Sequence, residues 1–99
     1  MYYIKEIIDQ LDEEIDGAKK YAERYVKYKA KNNMQWANRF KEMANDEIKH
    51  CNYIHELVVF FIEELKKIYS PPAEMLEKWE HEHKEYVEKV AWIKQMLTM

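Results

Sequence analysis

Ninety-nine residues with one glycine, two prolines and one cysteine make one domain of few, long elements, and a chain this short buries only roughly 60 to 65 per cent of the surface its unfolded form exposes. The lone Cys51 excludes an internal disulfide, and a mean hydropathy of −0.74 with no long apolar run argues against a bilayer span. The net charge of −3 conceals a polarity: Glu6, Asp9, Asp12, Glu13, Glu14 and Asp16 stand against Lys5 in residues 1–18, and Lys19, Lys20, Arg24, Lys27, Lys29 and Lys31 against Glu23 in residues 19–31.

Glu, Lys, Ala, Leu, Met and Gln dominate the remainder and all favour helix, so the fold class is all-α. The spacing of Ile4, Ile7, Ile8, Leu11, Ile15, Ala18, Tyr21, Ala22, Tyr25 and Tyr28 predicts a first helix over residues 2–31, with Glu14 inside its apolar stripe. Gly17, the only glycine, costs about 1 kcal/mol in a helix interior and leaves room for a partner helix beside Glu14. Asn32-Asn33 is the break, able to turn the chain and cap the next helix.

A second helix is expected over residues 33–69, its stripe running through Met43, Ile54, Leu57, Phe61, Leu65 and Ile68, with Glu47 and His50 on the same face. Ser70-Pro71-Pro72 closes it, with Ser70 placed to cap a third helix and Pro71 at its first position. That helix, over residues 73–97, presents Leu76, Trp79, His83, Tyr86, Val87, Val90, Ile93 and Leu97 on one side. The first two helices are each on the order of 45 to 55 Å long, so they form an antiparallel hairpin whose stripes need more cover than each gives the other.

A carboxylate and an imidazole on an apolar stripe must be paired, hydrogen-bonded or bound to something, because burying them bare costs several kcal/mol. In a hairpin turning near Asn32, residues whose numbers sum to about 64 lie level. Glu14 then faces His50, and Gly17 faces Glu47. Glu80 and His83, a second Glu-x-x-His, fall roughly 15 to 20 Å away along the bundle and join this group only across a subunit interface. Trp92 and Gln95 are the third-helix residues level with the group, so that helix is expected to lid it.

Glu-x-x-His is the spacing with which helix bundles hold transition metals. One hairpin supplies half of a two-metal carboxylate site, and a twofold-related copy would complete it, so a homodimer or multiple of dimers is expected. Glu14 followed after six residues by Tyr21, with Glu47-x-x-His50 about thirty residues further on, resembles the first half of a ferritin-like di-iron bundle. The resemblance covers residues 4–69 and lies in spacing more than in sequence. It points toward short ferritin-like proteins, such as encapsulated ferritins or small phage-encoded relatives, that build the iron site between two subunits. It implies Glu14, Glu47 and His50 as ligands, iron as cofactor and ferroxidase chemistry, with Tyr21 as a nearby redox-active phenol.

The bland alternative is a metal-free helical oligomer or adaptor protein in which these residues form a buried polar network that fixes register. His55 and His81 fall off the apolar stripes and read as surface residues, and Cys51 reads as a small buried hydrophobe. Lys20, Arg24, Lys27 and Lys31 form a basic stripe able to meet an anion, but a solvated face or contact with the acidic third helix explains it more simply, which argues against a nucleic-acid partner. The acidic half of the hairpin would gather ferrous ions. With no basic-then-apolar leader after Met1, a cytoplasmic location is expected.

Overall fold

The computed structural model describes residues 2–99, with side chains from Tyr3 onward. Three helices run antiparallel in turn: α1 (Tyr2–Ala30), α2 (Met34–Lys66) and α3 (Ala73–Met96). The body measures 55 × 17 × 17 Å, a rod one hairpin long. Among the described residues there is no strand, and no helix is long and apolar enough to cross a membrane.

The α1–α2 turn uses both asparagines. Asn32 takes the left-handed conformation at φ 60°, which asparagine tolerates better than most side chains. The Asn33 side-chain oxygen accepts from the backbone N–H of Trp36 and caps α2. At the other end α2 stops at Lys66, short of the expected residue 69, because Ile68 and Tyr69 turn back to bond the Leu65 carbonyl ahead of the two prolines. Pro72 rather than Ser70 occupies the N-cap of α3, without a side-chain cap.

The α1 seam is Ile4, Ile8, Leu11, Ile15, Ala18, Ala22 and Tyr25, all buried. Those positions are spaced by fours and threes, an average period of about 3.5 that keeps one face against a neighbouring helix and favours left-handed winding. The α2 seam departs from expectation. Burial falls on Ala37, Ala44, Ile48, Cys51, Val58 and Ile62, while Met43, Leu57 and Ile68 of the expected stripe are exposed. The cause is size: alanine and cysteine let the two helices close, so the bulkier apolar side chains are displaced to a second strip one position round the helix. Trp36, Met43, His50 and Leu57, seven residues apart in succession, mark that outer strip.

Helix α3 lies on the opposite side of the hairpin from the outer strip. Lys78 Nζ is 2.7 Å from Asp9 Oδ1, and the Tyr86 hydroxyl donates to Asn52. Asn52 follows His50 by two residues, which turns it about 200° round α2, so α3 and the outer strip occupy different faces. Met75, Glu82, Val90, Ile93, Met96 and Leu97 are the buried side chains of this part of the chain, and Val87 is exposed.

Candidate metal centre

On the open side of the hairpin, midway along the outer strip, Glu14, Glu47 and His50 come together. Each offers one ligand atom, and these atoms all lie within 4.8 Å of one another. His50 Nδ1 stands 3.6 Å from Glu14 Oε2 and 3.6 Å from Glu47 Oε1. Both separations exceed a hydrogen bond but suit atoms that share a cation rather than each other. Among the described residues no other set of three such side chains converges this closely.

The local register explains the convergence. Gly17 lies directly across from Glu47: a Cβ placed on it would stand 3.4 Å from Glu47 Oε2. Absence of a side chain there lets the Glu47 carboxylate lie against the α1 backbone and reach Glu14, one helical turn back. The site is a rim rather than a core feature, since the side chains of Glu14, Glu47 and His50 are 24%, 23% and 53% exposed. Partial exposure removes the requirement for pairing that full burial would impose, and leaves an open side from which further ligands can approach.

Electrostatics fit a site that exchanges protons. The Glu14 carboxyl, sharing a hydrogen bond with Glu47 once a proton is present, pushes Glu47 up to about 7, with desolvation adding to the effect. Two carboxylates this close resist ionising together unless a positive charge joins them. Cys51 is packed just behind; burial, then the charges of Glu14 and Glu47, push its thiol up to about 12, so it stays protonated and acts as the small hydrophobe expected.

Around the group is a cleft of about 350 Å³ lined by Tyr21 of α1 and by residues of α2 from Met43 to Tyr53. No α3 residue lines it. The expected lid is therefore absent: Trp92 and Gln95 are exposed on the far face. Tyr21 stands at the rim and packs against Phe40, ring centroids 6.4 Å apart.

Glu80 and His83 do not join this group. His83 pairs instead with His55, which is half-buried between α2 and α3 rather than on the surface as expected. Burial there lowers the His55 pKa, and His83 lowers it further. His81 is exposed. Sequence reasoning also missed Glu82, which is buried at 8% exposure with one carboxyl oxygen lacking a hydrogen-bond partner. Burial, then Asp12, pushes its carboxyl up to about 7. The signal for it was the spacing of 75, 79, 82 and 86, overridden by reading a glutamate as solvent-facing. Among the described residues, Lys20, Arg24, Lys27 and Lys31 form no ion pair with α3; Arg24 lies over the Phe40 ring, 5.7 Å from its centroid.

Compared with protein-family models, curated proteins and solved structures, the chain matches none.

Proposed function

We propose that this chain is a ferritin-like di-iron carboxylate protein, in which the open faces of two copies meet so that Glu14, Glu47 and His50 of each hold two iron ions between them. The observation that carries this reading is the convergence of those three side chains from two helices within 4.8 Å. Two carboxylates and an imidazole per chain are the donor types that iron accepts, and four carboxylates from a pair of chains would neutralise two ferrous ions.

A second copy is favoured by what flanks the site. Met43 and Leu57 lie one heptad to either side of His50 and are exposed, as is Tyr53. An apolar strip broken at its midpoint by a charged group suits a twofold partner presenting the same strip. The partner would dehydrate the site and supply the ligands a single hairpin lacks.

Iron held by Glu14, Glu47 and His50 would supply one-electron redox chemistry, with dioxygen as the electron acceptor. The chain's own residues set the conditions for it. Glu47 yields its proton as the cation arrives, Gly17 keeps space for its carboxylate, and Tyr21 stands at the cleft rim as a phenol within the same apolar surround. The acidic half of α1 concentrates cations at the approach.

The alternative, a metal-free helical oligomer or adaptor, draws on the same contacts: His50 Nδ1 lies 3.6 Å from a carboxylate oxygen of both Glu14 and Glu47, and that polar network between α1 and α2 would itself fix register. Metal analysis of protein purified without chelator separates the two, combined with sedimentation to give the oligomer. The iron reading expects about two metals per dimer. Fewer than about one metal per two chains, unchanged by adding ferrous iron, sinks it.

A further inference from the structure

A second convergence of ligand-type side chains lies on the opposite face, where side chains of α3 meet those of α2. His55 Nε2 and His83 Nδ1 are 2.8 Å apart, one ring donating to the other. The His55 ring is fixed by its neighbours: it stacks on Tyr86 at a centroid distance of 4.5 Å and 15° between planes, and lies 5.2 Å from Trp79. Tyr86 is itself anchored through its hydroxyl to Asn52. His83 is on the solvent side and exposed. One imidazole is thus immobilised and the other is free to adjust, with its ring nitrogen already aimed at the first.

We propose that His55 and His83 form a bis-imidazole site for a divalent transition metal of the nitrogen-preferring class, zinc, copper(II) or nickel, which clasps α3 to α2. Nitrogen-only donors distinguish it from the oxygen-rich group around Glu47 and select against hard cations such as magnesium or calcium. Two imidazoles on one tetrahedral ion, each about 2.0 to 2.1 Å from it, require nitrogens about 3.3 Å apart. Opening the present 2.8 Å by that small amount is within the reach of an exposed His83 side chain. Water fills the remaining positions, and the charge of Glu56 beside His55 favours a cation.

The mechanical consequence comes from how α3 is held. Its buried apolar side chains pack with the α1 seam, while toward α2 it makes side-chain contacts around His55, Tyr86 and Asn52. A metal bridging the two histidines converts a single hydrogen bond into two coordinate bonds at that weak junction. It binds only the folded arrangement, so it stabilises by mass action. The Glu80-x-x-His83 motif then has half a meaning of its own: its histidine serves, and its glutamate lines a separate cleft with Trp79 and Val59.

The test uses the full chain carrying Glu47→Ala and His50→Ala, which silences the carboxylate centre and keeps the two readings separable. Zinc or nickel salts alone are the probes, followed by calorimetry and thermal denaturation. One metal per chain is expected, with a rise in Tm of about 5 to 10 °C when free metal is ten times Kd. Adding His83→Gln should weaken binding at least tenfold, whereas His81→Gln should leave it unchanged. Because His83 is exposed, its loss does not threaten folding as loss of His55 does. Equal zinc affinity with and without His83→Gln, or no change in Tm at millimolar zinc, overturns the proposal.

Discussion

Gly17 and Glu47 face each other across the hairpin so closely that a Cβ on the glycine would meet Glu47 Oε2 at 3.4 Å. That distance is an ordinary van der Waals contact, so one methyl fits and a longer side chain does not. Gly17→Ala should therefore gain the helix-propensity difference, about 0.5 to 1 kcal/mol, seen as a Tm rise of about 2 to 8 °C in metal-free buffer. Gly17→Leu should displace the Glu47 carboxylate and cut metal affinity by at least tenfold. A drop in Tm for Gly17→Ala would show that something other than Glu47 occupies the space.

The tight α2 seam makes an opposite prediction for its neighbour pair. Ala44 is fully buried and Met43 exposed. Ala44→Leu forces the helices apart and should cost about 1 to 3 kcal/mol, read as a lower denaturant midpoint with unchanged slope. Met43→Ala should leave the stability of the single chain within about 0.5 kcal/mol but weaken self-association. If Met43→Ala costs as much as Ala44→Leu in dilute monomer, the seam has been drawn on the wrong strip.

This pair also shows where the sequence was informative. The all-α class, the Asn32-Asn33 turn and the level placement of Glu14 with His50 and Gly17 with Glu47 are legible, because helix rise and hairpin register are fixed by backbone geometry. The α2 seam is not, because hydrophobicity favours Met43 and Leu57 while close approach selects Ala37, Ala44 and Cys51. The face on which α3 docks is equally hidden: Glu82 and His55 sit at that junction, and a carboxylate or imidazole at a seam position is read as a surface residue until its neighbours are known. The expected lid failed for that reason, since levelness along the bundle says nothing of the side from which a third helix approaches.

Glu82 gives the chain a pH dependence. Its carboxyl is held at about 7 against an ordinary 4.5, by burial first and Asp12 second. The folded chain thus keeps a proton that the unfolded chain releases. The stability linked to it is full below about pH 4.5 and is lost as pH rises to about 7, after which it is level. Allowing for relaxation, the loss is about 1 to 2 kcal/mol. Thermal denaturation in chelator should show Tm falling between about pH 5 and pH 8, and Glu82→Gln should reduce that fall by about half or more. Some slope should persist, since Glu47 titrates in the same direction and window. An unaltered pH profile in Glu82→Gln would mean that the α3 docking seen here does not bury this carboxyl in solution.

On the proposed iron reading, Glu47 couples a proton of its own to metal binding. With its carboxyl pushed up to about 7 by Glu14, a cation must displace a proton at any lower pH. Apparent affinity for ferrous or a surrogate divalent ion should accordingly rise about tenfold per pH unit below about pH 7 and level off above it. Glu47→Ala removes a ligand and should abolish binding at this centre. Glu80→Ala touches neither Glu14, Glu47 nor His50 and should leave both the affinity and its pH profile intact. Equal loss from the two substitutions would mean that the ligands are drawn from α3 as well, through contacts between chains that a single hairpin does not make. Binding that is strong but flat with pH would separate the metal from the carboxyl pair and return Glu14 and Glu47 to the role of a register-fixing network.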